Sequence, residues 1–309
     1  MKHLIIGTRG SLLARWQANH IKSLIEKLPE VSCEIKIIST RGDDDQTTPL
    51  PEVGDKGFFT AEIESELLSG SIDIAVHSMK DLPTDLDSQF KIGAVPKRFS
   101  YHDVLVTNTP MDFKNLPSKP IIATGSLRRE LQLKSLKHDI ETVDVRGNIH
   151  TRIKKLKEND WDGLVMAEAA IKRLELDLHY YRFSNDEMTP SAGQGAVAVQ
   201  VKNDRKDLDP ILSKINHKPS FIAVEIERQI ISNLEGGCKT PVGCLSIINK
   251  NELKIDTYLS DLSGTRVIRV SDSGKLSEKS EIINTIISAF MDEGAREIIN
   301  LNREVFGNV

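Results

Sequence analysis

One pattern occurs twice in this chain and narrows the folds open to it. Ile5-Ile6-Gly7-Thr8-Arg9-Gly10-Ser11-Leu12 is echoed, one residue shorter, by Ile121-Ile122-Ala123-Thr124-Gly125-Ser126-Leu127. Gln17 and Gln132 follow at the same distance past their serines. Thr40-Arg41-Gly42-Asp43 is echoed by Val145-Arg146-Gly147-Asn148, and Asp73-Ile74-Ala75-Val76 by Asp162-Gly163-Leu164-Val165. The echoes come in the same order, which predicts two α/β halves of similar build. Apolar runs alternate with helical stretches in each half, and that alternation implies mostly parallel sheets. The expected class is therefore α/β: two similar doubly wound domains plus a small α+β C-terminal domain. The first domain is expected to be discontinuous, residues 1–98 and 196–214. The second covers 99–195 and the third 215–309. Two such halves would line a cleft with strand ends and helix N-termini.

Local signals fill in the elements. Leu4 to Gly7 reads as the first strand, and Ser11 as the N-cap of a helix from Leu12 to about Lys27. Glu34 to Thr40 reads as the second strand. Residues 43–58, rich in Asp, Pro and Gly, form a long polar stretch of the kind that serves as a lid or is disordered. Helices are expected from Thr60 to about Ser69 and from Ser220 to Leu234. Strands at 253–259 and 267–270 flank a turn near Gly264, and a last helical region, 280–300, breaks near Gly294.

Composition excludes several classes. Of the 309 residues, 28% are charged and 39% hydrophobic, ordinary values for a soluble globular protein. A net charge of -4 argues against a general nucleic-acid binder. The apolar run before Arg9 is too short for a signal peptide, and no stretch has the length of a membrane span. Cys33, Cys238 and Cys244 form no CxxC pair, so a reduced, cytoplasmic protein is expected. The histidines show no metal-ligand spacing, and no metal site is indicated.

The chemistry gathers at His77-Ser78-Met79-Lys80-Asp81. These polar residues follow the apolar run Ile72 to Val76, at the carboxyl end of a buried strand, where open α/β sheets place their ligands. An Asp at such a point is most often a cap. Here Asp81 is the acid/base choice, with Lys80 beside it holding the carboxylate ionised or meeting an anion. Arg9, Arg128, Arg129, Arg146 and Arg152 all fall at strand ends or helix starts, where guanidinium forks and helix N-termini favour carboxylates or phosphates. Five of them argue for a ligand with several negative groups. Cys238 follows Gly236-Gly237 and precedes Pro241, so a tight, closely approachable loop is expected there. Gly193-Gln194-Gly195-Ala196-Val197-Ala198 imitates a dinucleotide fingerprint, but a strand rather than a helix follows it, which rules against that reading.

Taken together these stretches resemble the porphobilinogen deaminase family. His77 to Asp81 is similar to the family's catalytic segment, and Leu234-Glu235-Gly236-Gly237-Cys238 with Pro241 to its cofactor-attachment loop. Thr8-Arg9, Thr40 to Asp43, Lys56-Gly57, Ser126 to Arg129, Arg146 to Asn148 with Thr151-Arg152, Lys172-Arg173-Leu174 and Gly193 to Ala196 match in order. The similarity thins after about Leu245. The resemblance implies a transferase that joins four porphobilinogen molecules head to tail into hydroxymethylbilane, releasing ammonia. It also implies a covalent dipyrromethane cofactor on Cys238. By the same resemblance Asp81 is the catalytic carboxylate. Arg128, Arg129, Lys80 and Ser126 hold the cofactor with it, while Arg9, Ser11, Lys56, Arg146, Arg152, Arg173 and Gln194 hold substrate. The expected partner is the small molecule alone, with no nucleic acid, no membrane and a monomeric chain. The implied fold has three domains, the first two like type II periplasmic binding proteins. The chain departs from the family pattern at Asp55, Gly125, Glu168 and Ala170. The competing reading is a non-catalytic dicarboxylate binder or sensor of the same two-domain fold; Asp81 together with Cys238 argues against it.

Overall fold

The structure, a computed structural model, describes residues 2–44, 60–234 and 240–306. Its strands, in chain order, are β1 (Lys2–Thr8), β2 (Val31–Ile37), β3 (Ile74–Ser78), β4 (Phe90–Ala94), β5 (Asp103–Thr107), β6 (Ile121–Ala123), β7 (Glu141–Val143), β8 (Gly163–Ala167), β9 (His179–Arg182), β10 (Val197–Lys202), β11 (Val242–Asn249), β12 (Glu252–Ser260), β13 (Val267–Ile268) and β14 (Ser271–Lys275). The helices are α1 (Leu12–Ile25), α2 (Arg41–Asp44), α3 (Ala61–Ser69), α4 (Leu127–Leu136), α5 (Ile149–Glu158), α6 (Glu168–Arg173), α7 (Asp209–Ile215), α8 (Lys218–Asn233), α9 (Lys279–Asp292) and α10 (Ala295–Phe306). No helix among the described residues is long and apolar enough to cross a membrane.

The described chain divides into two compact units. The first holds the residues up to 44, then 60–99 and 195–222; the second holds 100–194 and the residues from 223 onward. In the first, a five-stranded sheet runs in the order β2-β1-β3-β10-β4. Apolar side chains cover both of its faces. Leu4, Ile6, Ile74 and Val76 pack with Ala18, Ile21 and Ile25 of α1 and Leu212 of α7. On the other face Ala75 packs with Ile63 and Leu67 of α3. Alternation along the strands decides which side chain meets which layer.

The second unit repeats the plan as β7-β6-β8-β5-β9. Val104, Val106, Leu164 and Met166 meet Ile153 and Leu156 of α5, while Leu105, Ile122 and Val165 meet Leu133 of α4. This unit also contains a small antiparallel sheet, β11-β12-β13 with β14 beside β12. Helices α9 and α10 follow it, separated by Gly294 at φ +86°, a left-handed conformation that glycine takes without a Cβ penalty. The break expected near that glycine is thus where the structure has it.

The mostly parallel sheets expected from the sequence are in fact mixed. Strands β1, β2 and β3 pair in parallel, and so do β6, β7 and β8. Strand β10 pairs antiparallel with β3 and β4, and β5 antiparallel with β8 and β9. No helical crossover joins β3 directly to β10 or β5 directly to β8, so nothing imposes the parallel sense on those pairs. The second strand also falls earlier than expected, at 31–37, and Arg41–Asp44 is a helical turn rather than a strand end.

Candidate active site

In the first unit the strand leading to the acidic segment ends later than its apolar run suggests. Asp73 sits just ahead of β3, and its Oδ2 accepts the Ile5 amide at 2.8 Å. The strand then runs through Ser78, and Met79–Asp81 forms one 3-10 turn, held by the Met79 amide on the Ala196 carbonyl at 3.1 Å. A small hollow, open to solvent, lies at this strand end. Arg9, Ser11 and Asp81 line it, as do Gln17, Thr60, His77 and Ser78. The Ser11 hydroxyl accepts the Ala14 amide at 3.2 Å and caps α1. Asp81 and Lys80 are both exposed on the turn, but Lys80 is not part of the lining.

Gln17, Thr60, His77 and Ser78 are wall residues that the sequence reading did not assign. Gln17 is buried on α1, and its Nε2 donates to the Ser78 hydroxyl at 2.9 Å. The echo of Gln17 in Gln132 was the available signal. His77 is buried and bonds Gln200 at 3.0 Å. Burial brings its pKa down to about 4, a fall that the Gln200 bond opposes and the charge of Arg9 assists. The ring is therefore neutral at physiological pH.

In the second unit the arginines are gathered by a carboxylate that the sequence reading overlooked. Asp103, fully buried at the start of β5, accepts from Arg128 Nη2 at 2.8 Å and from Arg129 Nη2 at 2.7 Å and Nε at 3.0 Å. Gln194 Nε2 adds a bond to the same carboxylate at 2.9 Å. Arg128 also donates to the Thr189 carbonyl at 2.7 Å, and Arg129 to the Val165 carbonyl at 3.2 Å. Burial lowers the pKa of Arg128, against the pull of Asp103. Arg128 and Arg129 thus form an internal ion cluster with Asp103. Two guanidiniums against one carboxylate leave a net positive charge in a desolvated place. A carboxylate opening an otherwise apolar strand needs buried cations, and that was the missed signal. The loop carrying Gln194 is itself fixed, through the Gly193 amide on Glu227 at 2.7 Å.

The remaining assigned residues also fall in this unit. Arg146 and Arg152 flank the start of α5, where Arg152 Nε donates to the Gly147 carbonyl at 2.8 Å and the Asn148 side chain caps the helix. Arg146 Nη1 is buried and meets no hydrogen-bond partner among the described residues. Ser126 stands at the N-cap of α4 but, unlike Ser11, its side chain caps no amide. An uncapped hydroxyl and a guanidinium nitrogen without a partner are both groups that carboxylates suit, which is the chemistry an acidic pyrrole cofactor carries. Arg173, buried at the end of α6, has its pKa lowered to about 10 by burial. Lys56 and Cys238 lie outside the described residues, as does Asp55. Cys33 and Cys244 are both buried, and burial pushes the Cys33 thiol up to about 11.

Two departures from the family pattern have physical accounts. A Cβ on Gly125 would stand 2.9 Å from the Val145 carbonyl oxygen and 3.0 Å from Asp144 Oδ1, so the backbone leaves no room for serine. Glu168 is fully buried but accepts from Arg182 Nε at 2.9 Å, Tyr180 at 3.2 Å and Ser100, with Lys172 at 3.2 Å. Burial raises its pKa, yet these bonds outweigh it and hold the carboxyl below its usual range.

An exposed acid thus stands at one strand end and desolvated arginines at another, and guanidinium groups are suited to carboxylate ligands. Comparison with known proteins identifies the family. The model of the porphobilinogen deaminase dipyromethane cofactor binding domain matches residues 4–210, and that of the porphobilinogen deaminase C-terminal domain matches 221–291. Porphobilinogen deaminase of Syntrophomonas wolfei is 41% identical over 97% of this chain and 98% of its own. That of Nitratidesulfovibrio vulgaris is 40% identical over 97% and 96%, and that of Helicobacter acinonychis 38% over 97% and 98%. The chain belongs to the porphobilinogen deaminase family. A putative methionine-binding lipoprotein from Bacillus subtilis covers 71% of this chain at 11% identity with a TM-score of 0.42, too distant to carry an argument. Membership does not favour the non-catalytic binder.

Proposed function

We propose that this chain joins four porphobilinogen molecules head to tail into hydroxymethylbilane and that Asp81 is its catalytic carboxylate. The observation that carries the assignment is the exposed Asp81 at the rim of a hollow that also holds Arg9 and Ser11. The aminomethyl group leaves in its protonated form: the C–N bond of the ammonium breaks with its electron pair going to nitrogen, and neutral ammonia departs. The pyrrole ring then carries the positive charge as an azafulvene, and the Asp81 carboxylate stabilises it. After the new carbon–carbon bond forms, Asp81 takes the proton that the attacked ring gives up. When bound, the dipyrromethane supplies a pyrrole carbon as the nucleophile. Arg128, Arg129, Ser126, Lys80 and Asp81 hold it, anchored at Cys238, which the family resemblance supports. Arg9, Ser11, Lys56, Arg146, Arg152, Arg173 and Gln194 bind the acetate and propionate groups of the growing chain. Each added ring brings two carboxylates, and the surplus of guanidinium offsets their repulsion.

The chain is read as three domains, 1–98 with 196–214, 99–195, and 215–309, the last carrying the attachment loop. The chain works as a monomer in the cytoplasm and needs no nucleic acid or membrane. The test is to supply porphobilinogen and measure ammonia and product together. Ammonia with hydroxymethylbilane supports the reading. Binding of porphobilinogen without ammonia release would overturn it.

A further inference from the structure

Behind the hollow lies a hydrogen-bonded chain that the proposed reaction leaves unused. His77 is 5% exposed and lines the hollow. Its Nε2 lies 3.0 Å from Gln200 Oε1, and Gln200 Nε2 donates to Glu64 Oε1 at 2.8 Å. His77 is on β3, Gln200 on the neighbouring β10 and Glu64 on α3.

The direction of each bond follows from the next. Burial pushes the Glu64 carboxyl up and the Gln200 bond pulls it down; the Oε1 that faces Gln200 accepts, so Gln200 turns its NH2 group towards it. Gln200 then shows its carbonyl to His77, and the imidazole must carry its proton on Nε2 in order to donate. A neutral ring protonated there keeps its lone pair on Nδ1. Among the described residues Nδ1 has no hydrogen-bond partner. Nor is it one of the buried polar atoms sealed away without one, and His77 is among the residues that line the hollow. The hollow thus holds an uncharged acceptor beside the charged acceptor Asp81 and the donor Arg9. Carboxylates have nothing to give such an atom, whereas a nitrogen-bound hydrogen does.

We propose that His77 contacts the substrate directly, its Nδ1 accepting a hydrogen bond from an N–H of the aminomethylpyrrole, while Gln200 and Glu64 fix the tautomer that makes this possible. The inference rests on the reading of this hollow as the substrate site.

Two substitutions separate contact from packing. His77→Gln can keep a donor to Gln200 but offers no acceptor at the place of Nδ1. His77→Asn can place its Oδ1 near that position but gives up the Gln200 bond. The expected result is that His77→Gln lowers kcat/KM for porphobilinogen by about 10- to 100-fold, the size of one hydrogen bond to a charged or buried group, with little change in unfolding midpoint. His77→Asn should retain more kcat/KM while being the less stable of the two. In the native holoenzyme, long-range nitrogen-15 spectra should show Nε2 protonated and Nδ1 bare, with the Nδ1 resonance moving when porphobilinogen is added. Native kcat/KM in His77→Gln, or an Nδ1 that carries the proton or ignores the substrate, would overturn the proposal while the deaminase reading stands. A native enzyme that neither binds nor deaminates porphobilinogen would bring down that reading and this contact together.

Discussion

The two five-stranded sheets share a strand order and even their fastenings, yet they end in opposite kinds of site. The Ile5 amide donates to Asp73 at 2.8 Å, and the Ile121 amide donates to Asp162 at 2.8 Å. Each aspartate returns its own amide to the same isoleucine's carbonyl at 2.9 Å. Counted from these aspartates, Asp81 corresponds to Ala170 and His77 to Met166. The first unit therefore presents an exposed carboxylate and a solvent-open hollow, while the second buries Arg128 and Arg129 around Asp103. The lesson is that backbone fastenings specify the scaffold, whereas a few side chains at the strand ends specify the chemistry. In the proposed reading the first unit moves protons and the second supplies fixed positive charge.

That division can be broken most directly at Asp81. Asp81→Asn keeps the shape and removes the charge, so the fold should persist by circular dichroism. Ammonia release should fall by about 10²–10⁴-fold, the usual worth of a positioned acid or base. Near-normal turnover would remove Asp81 from the mechanism and erase the contrast. In the second unit the corresponding blow falls on stability. Asp103→Asn leaves two buried guanidiniums without their carboxylate, and urea unfolding should show a loss of about 3–5 kcal/mol. A change below 1 kcal/mol would mean that the arginine pair does not depend on Asp103.

Arg146→Leu sharpens the same contrast, because Arg146 has an unsatisfied buried Nη1 where Asp103 binds the other arginines. Removing it should spare folding and weaken elongation by about 2–5 kcal/mol in kcat/KM, as for a desolvated charge contact. Unchanged kinetics would place Arg146 outside the binding surface.

A smaller difference between the sheets appears on acidification. His77 has a folded pKa of about 4 against 6.5 for the free side chain, because burial disfavours its charged form. The native state then binds fewer protons than the unfolded chain. Its stabilising contribution is complete above pH 6.5 and is lost as pH falls towards 4, by up to about 3 kcal/mol. Met166 at the equivalent place contributes none. Urea unfolding at stepped pH should therefore show a shallower loss in His77→Gln than in the native chain. Equal slopes would mean that His77 is not buried neutral.

Much of the scaffold was legible in the sequence because it rests on local rules. Ser11 caps α1 as its type and place suggest, Gly294 separates α9 from α10, and the echoed aspartates mark equivalent strand starts. The second strand was misplaced by three residues because an alternating pattern fits either register when one flank is polar. The antiparallel sense of β5 and β10 was hidden, since pairing sense depends on where distant segments return. The Asp103 cluster joins β5, α4 and the loop at Gln194, which are remote in sequence, and residue spacing carries no sign of such a meeting. His77 lay inside the quoted motif, yet its role depends on Gln200 and Glu64, neither of which any local pattern marks.

The central claim is that one chain grows its product covalently, on a thiol the sequence singles out. Intact mass spectrometry tests it in denaturing acid, on protein from a host that makes porphobilinogen. A thioether survives those conditions, whereas a hydroxyl is a far poorer nucleophile than a thiol. The expected result is a mass above that of the sequence by one dipyrromethane, mapping to the peptide that contains Cys238 and absent from Cys238→Ser. Brief exposure to porphobilinogen should then add discrete steps of one pyrrole unit. A native protein showing the bare sequence mass, with no ladder after porphobilinogen, would contradict the claim.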